Sequence, residues 1–208
     1  MSSDWYRRPD WDDAAREEFE RRLARARPFN RSQYLRIKAL ALLDAGEDQG
    51  AQELLLRVLD NPDESPDVGL AVEFLGNLAV RQGNRELAKQ YYRRGLAAPR
   101  YPGGTTGGHE IALAEMLLDE GADGHAEAIE LLETWFARPN LKFNNQLCRW
   151  HLAVIKAAEQ TGDAETVRRS AAAALEVASR EPQFSRHKDV GVVRADPVTL
   201  RRLRKLAK

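Results

Sequence analysis

The sequence predicts an all-α protein, a right-handed superhelical stack of helix-turn-helix pairs with a capping segment at each end. Three observations carry that expectation. Ala88, Tyr92, Leu96 and Pro99 form a spaced pattern that recurs as Ala51-Leu55-Leu59-Pro62 and as Ala128-Leu132-Phe136-Pro139, with a degenerate copy at Val167-Ala171-Leu175. The period is about 37 to 40 residues, within the range of helix-pair repeats. Gly46 and Gly83 precede the first two copies where a helix has to end, and glycine is the residue that closes a helix in the left-handed conformation. Finally, Leu75-Gly76 and Leu113-Ala114 place a large residue beside a tiny one on the first helix of a pair, and Ala39 supplies the small residue earlier in the chain. Such a step lets a partner helix approach closely.

The elements follow in order. The polar start, with Trp5 and Tyr6, turns at Pro9-Asp10. From Trp11 to Arg27, Ala15, Phe19, Leu23 and Ala26 share one stripe while Arg and Glu occupy the rest, the pattern of a helix with one face to bury. Residues 1–28 therefore read as an N-terminal cap helix ended by Pro28, and residues 30–180 as about four helix pairs. Asn30-Arg31-Ser32-Gln33 resembles a capping box, opening a helix to Asp44 whose partner runs from Gln49 to Asp60. Asn61 to Pro66 is a loop, and Pro66 or Asp67 opens the next helix, closed by Gly83. Arg100 to His109 is rich in glycine and connects the second and third pairs. The third pair spans His109–Glu120 and about Gly124 to Ala137. The fourth spans Asn144–Gln160 and, with Asp163 as cap, a helix to Ser179. Residues 182–208 form a C-terminal tail and helix, the latter opened by Asp196-Pro197 and edged by Leu200, Leu203 and Leu206. The whole chain, 1–208, is expected to form one α-solenoid domain.

The glycine-closed helix, Leu75-Gly76, Ala88, Tyr92, Leu96 and Pro99 together resemble a tetratricopeptide repeat (TPR), over roughly residues 30 to 180. The resemblance implies that the first helix of each pair lines a concave surface and that such proteins bind partner segments there. It has departures. Lys38 stands where a large apolar residue is usual, the turn from Gly121 to Ala128 is longer, and Ile155 replaces the small residue of the fourth pair, which predicts a splayed or lengthened last pair. The flanks Asp4-Trp5-Tyr6-Arg7-Arg8 and Phe184-Ser185-Arg186-His187 resemble those of bacterial repeat proteins to which no activity is attached.

Composition narrows the function classes. The 32 basic and 32 acidic side chains balance to a net charge of +0, against a protein that coats nucleic acid. The single cysteine, Cys148, excludes an intrachain disulfide and fits a reducing compartment. It lies among Leu147, Trp150 and Leu152 and reads as a buried, inert thiol. No apolar run approaches the roughly 20 residues of a membrane span, and no apolar signal core follows the N-terminal charges. A soluble cytoplasmic protein is the expectation.

Motifs for chemistry fail their context tests. The glycine-rich connection lacks a preceding strand and a Gly-Lys-Ser/Thr helix start, so it reads as a connector and not a phosphate cradle. His109-Glu110 opens a helix, but the residue one turn on is Leu113, and His125, His151 and His187 are scattered singly, so no metal site is expected. His109 and His125 read as surface residues near helix starts. The basic last helix, Arg201, Arg202, Arg204, Lys205 and Lys208, reads as a solvated face. Neither a cofactor nor a catalytic constellation is expected.

The remaining candidate is the concave groove. Counting back from each closing glycine places Gln33, Arg36 and Leu40, then Leu70, Glu73 and Asn77, then Ile111 and Glu115, then Arg149 and Lys156 on its lining. This makes it acidic in the middle and basic at both ends. Glu73 and Glu115 break a clamp for a peptide's terminal carboxylate. The expected function is a non-catalytic module that holds a protein or peptide partner in the groove, with self-association left open. The alternative is a small-molecule enzyme or regulator whose site lies between the tail and the last repeats. Within the tail, Arg186 and His187 are the candidate residues. Residues 182–195 either cap the last pair or fold into the groove with Arg186 reaching Glu115, and the cap is favoured because terminal repeats need shielding.

Overall fold

A computed structural model describes residues 4–60, 67–97 and 107–208. Among these residues the chain is all-helical in its regular elements, with ten α-helices. Neighbouring helices pack in pairs: α2 (Pro28–Asp44) with α3 (Asp48–Leu59), α4 (Asp67–Arg81) with α5 (Arg85–Ala97), α6 (His109–Glu120) with α7 (His125–Ala137), and α8 (Asn144–Thr161) with α9 (Ala164–Ala178). α1 is Asp13–Arg25 and α10 is Pro197–Leu206. The chain divides into two compact units, Met1–Tyr101 and Pro102–Lys208.

In the first unit, α1 buries Phe19 and Leu23 in one core with Leu35, Ala39 and Leu42 of α2, Ala51, Leu54, Leu55 and Val58 of α3, and Ala71 and Leu75 of α4. Each fully buried leucine there stabilises the fold by roughly 1.5–3 kcal/mol. Asp12 caps α1 by accepting from the Ala15 amide at 2.8 Å. Pro28 does not end that helix as expected. It is the first residue of α2, where its missing N–H would have no helical acceptor in any case, and Ala26-Arg27 make the connection. Asn30 and Gln33 therefore lie inside α2, and Arg27, with no side-chain cap, occupies the capping position.

Gly83 adopts φ +75°, which a side chain would strain, and the Asn84 amide reaches back to the Ala79 carbonyl at 2.9 Å to close α4. Asn84 then caps α5 through the Leu87 amide at 3.1 Å. At Gly76 a Cβ would lie within 3.0 Å of three atoms of the Tyr92 ring. The large-small step predicted from Leu75-Gly76 is thus where α5 lays a buried tyrosine on α4, and the Tyr92 hydroxyl donates to Asn77 Oδ1 at 2.9 Å. The expected loop at Asn61 to Pro66, Pro99 and Arg100 to Thr106 lie outside the described residues.

In the second unit, α6 is buried almost throughout, His109 included, which corrects the surface position expected for that histidine. The long turn is filled by a 3-10 turn, Ala122–Gly124. The repeat pattern slips at the end of α7. Trp135 is fully buried and donates its indole N–H to the Gly107 carbonyl at 2.9 Å, whereas Phe136 is 50% exposed and stacks on Trp150. The larger ring, which also finds an acceptor, takes the core position. Ile155 is buried without splaying the last pair, because α9 offers Ala171 and Ala174 in the same core cluster. α8 is instead long, at 18 residues. Leu203 of α10 completes that cluster with Cys148, Ile155, Ala158, Val167 and Val177.

Candidate functional site

The groove residues predicted in the first unit are mostly engaged within it. Arg36 of α2 donates to Asp67 Oδ1 at 2.5 Å, with both side chains largely buried, so this pair ties α2 to the first turn of α4. Asn77 is occupied by the Tyr92 hydroxyl, Glu73 is half-buried, and Gln33 is exposed. A second feature of this unit was not legible as a groove position. Lys38 is only 2% exposed and donates to the Arg8 and Asp10 carbonyls at 2.6 and 2.8 Å, with its ammonium over the Trp11 and Phe19 rings. Burial pulls its pKa below the ordinary lysine value; Asp10 opposes that shift and Arg8 reinforces it.

In the second unit three of the predicted residues come together. α6 presents Glu115, and α8 presents Arg149 and Lys156 two turns apart on the same side. Arg149 grips Glu115 through two nitrogens, Nε to Oε1 at 2.8 Å and Nη2 to Oε2 at 2.6 Å, a fork-on-carboxylate geometry. Lys156 pairs with Asp119, one turn beyond Glu115. Beside these pairs lies an open cleft of about 450 Å³ lined by Glu115, Leu152, Ala153, Lys156, Glu159, Thr199 and Arg202. Arg202, from α10, donates to both carboxylate oxygens of Glu159 at 2.8 and 2.6 Å. The cleft floor is thus apolar, with small and aliphatic side chains, and its rim carries charges of alternating sign.

These rim pairs are part-exposed, and exposed ion pairs contribute only about 0–1 kcal/mol each. A ligand presenting its own carboxylates and ammonium groups can exchange with them at little cost. Sequence counting found Glu115, Arg149 and Lys156 because helical periodicity fixes them to one face. Glu159 belongs to that stripe, three residues beyond Lys156, and the same count would have found it. Thr199 and Arg202 needed the position of α10, which no periodicity encodes.

Arg186 and His187 are exposed, and Glu115 is held by Arg149, so the expected reach of Arg186 to Glu115 is not made. The tail instead follows the start of α8. The Asn144 amide donates to Gln183 Oε1 at 2.8 Å, the Asn145 amide to the Gly191 carbonyl at 2.8 Å, and Phe184 meets Phe143 edge to face. Asp196 caps α10 through the Val198 and Thr199 amides at 2.8 and 3.0 Å; the Thr199 hydroxyl, donating to it at 2.6 Å, and then these amides hold its carboxyl below the ordinary carboxylate range.

Other ionisable groups of this unit are shifted by their surroundings. Burial raises the pKa of Cys148 and so keeps it a thiol. His151, packed edge to face on Trp150, has its pKa lowered by burial and then by Arg180, with Glu176 opposing. Glu110, 1% exposed, pairs with Arg138. Lys142 lies over the Trp135 and Phe136 rings, and burial and Arg138 lower its pKa.

Among the described residues no group of three or more His, Cys, Asp or Glu is placed to hold a metal ion, and no helix is long and apolar enough to cross a membrane. No protein-family model matches the chain, and a search of curated proteins finds no match.

Proposed function

We propose that this protein is a non-catalytic, TPR-like interaction module of the cytoplasm that holds an extended or helical segment of a partner protein against α6, α8 and α10. The observation that carries the reading is the open cleft of about 450 Å³ in the second unit, apolar on its floor and rimmed by exchangeable ion pairs. Peptide-holding sites combine an apolar strip with polar rim groups that fix register, whereas small-molecule sites are deep and bury most of their ligand. Adjacent first helices within each unit, α2 beside α4 and α6 beside α8, favour a repeat arrangement of the TPR kind.

The alternative, a small-molecule enzyme or regulator with a site beside the tail, draws on the same cleft because Thr199 and Arg202 belong to α10. Its openness and its lack of an enclosed reacting position favour the module. The test is affinity capture from the native host with wild type, Glu115→Arg and Arg202→Glu. The reading predicts one protein captured by wild type and weakened about tenfold or more by each reversal, at unchanged far-ultraviolet circular dichroism. An identical set of captured proteins with all three would overturn it.

A further inference from the structure

The N-terminal segment, residues 4–11, lies ahead of α1, which begins independently at its Asp12 cap. Two kinds of contact join residues 5–11 to the helices. Trp5 packs on Phe19 and Tyr34 with ring centroids 5.2 Å apart in each case, Tyr6 stacks on Tyr34 at 4.7 Å, and the Trp11 indole lies on Gly50 of α3, where a Cβ would come within 3.0 Å of three of its atoms. The polar tie is Lys38, which gives two of its three N–H groups to the Arg8 and Asp10 carbonyls. Among the described residues, no other hydrogen bond joins residues 5–11 to the helices. Beneath the segment is a cavity of about 100 Å³ lined by Trp5, Arg8, Asp10, Ala15, Glu18, Phe19, Arg22 and Lys38.

We propose that residues 4–11 are a strap latched over the first unit by Lys38, and that it opens as a piece while α1 to α5 stay folded, uncovering the cavity together with Phe19, Tyr34 and the Lys38 ammonium. Both hydrogen-bond acceptors of this buried ammonium sit on the strap, and in the helices it meets only the face of the Phe19 ring, which cannot replace them. When the strap lifts, water replaces the carbonyls at both ends, so the charge is never stranded in an apolar site and opening avoids the penalty that a buried unpaired charge would incur. The fully buried core is made by the helices alone, with Phe19 and Leu23 from α1, and Trp5, Tyr6 and Trp11 of the strap pack against its edge, part-buried. Local opening of this kind is expected where few hydrogen bonds hold a segment to the rest of the fold. The open state offers a flat aromatic face carrying one cation.

Two readouts report opening in the full-length protein: tryptic cleavage after Arg7, followed by mass spectrometry, and acetylation of Lys38 by acetic anhydride. Lys38→Met leaves both carbonyls without a donor, and Trp5→Ala removes the aromatic anchor while keeping the latch; Trp5→Ala remains informative if the core substitution fails to fold. Lys38→Met is expected to speed cleavage after Arg7 by about tenfold or more, the factor that losing one hydrogen bond to a charged group implies, and Trp5→Ala by about tenfold or more through the loss of its ring packing. In Trp5→Ala, acetylation of Lys38 rises by the same factor. Cleavage within α1 and α2, after Arg16 and Arg36, is expected to stay at the wild-type rate. Unchanged cleavage after Arg7, or cleavage at all three arginines rising together, would overturn the proposal, the first because nothing is latched and the second because the unit opens only as a whole.

Discussion

Two glycines on α4 allow a sign prediction within a single helix. Replacing a helical glycine by alanine gains about 0.8–1.0 kcal/mol of intrinsic helix propensity. At Gly69 a Cβ would meet nothing within 4 Å among the described residues, so this gain is unopposed there, diluted only by the position near the helix start. At Gly76 the same atom would lie within 3.0 Å of three ring atoms of Tyr92, a side chain fully buried in the interface of α4 and α5 and fixed by its bond to Asn77. Forcing a methyl group into a packed interface costs about 1–3 kcal/mol. The ring cannot turn away without breaking its hydrogen bond. We therefore expect Gly69→Ala to stabilise by up to about 1 kcal/mol and Gly76→Ala, once the propensity gain is set against the packing cost, to destabilise by about 0–2 kcal/mol. Urea titration followed by far-ultraviolet circular dichroism reads both. In a Tyr92→Ala background the penalty at Gly76 should vanish and the propensity gain emerge, which a double-mutant cycle isolates. A Gly76→Ala protein as stable as Gly69→Ala would refute the close approach of the two helices.

Further expectations concern the second unit. His151 has a folded pKa below the ordinary imidazole value of 6.5, so the unfolded chain binds more protons in the acid range and stability falls as pH drops below about 6.5; His151→Phe should flatten thermal midpoints measured across that range. Leu203→Ala should cost about 2–5 kcal/mol, as for other buried leucines, while Arg186→Ala should change stability by no more than about 0.5 kcal/mol, a contrast that thermal denaturation resolves and that a groove-filling tail would reverse. Deleting residues 182–208 uncovers the cluster around Cys148, Val167 and Val177, and a lower melting temperature or insolubility is expected; a truncated protein as stable as the full chain would sink the capping role.

Much of the helical layout was legible because it depends on local rules. His109–Glu120 is found as predicted, and Asp163 and Asp196 cap α9 and α10 through the amides of Thr166 and Thr199. What failed was decided by contacts from elsewhere in the chain. Pro28 is compatible with ending one helix or starting the next, and only the bend at Ala26-Arg27 decides. Trp135 and Phe136 are adjacent on α7, so helical phase hardly separates them, and the acceptor at Gly107 settles which ring goes inside. Lys38 looked like a departure from the repeat pattern; its two acceptors are backbone carbonyls 28 and 30 residues away, which no side-chain pattern records. For the cleft, the α6 and α8 contributions followed from periodicity, whereas the α10 wall required the fold of the tail.

The binding reading is tested most directly by a photo-crosslinking amino acid placed at position 156, on the cleft, and separately at position 168, an exposed site on α9. With both proteins in the native host, the cleft position should join one partner protein through a single peptide segment, and position 168 should not. Capture of the same proteins from both positions, or of none from position 156, would contradict it.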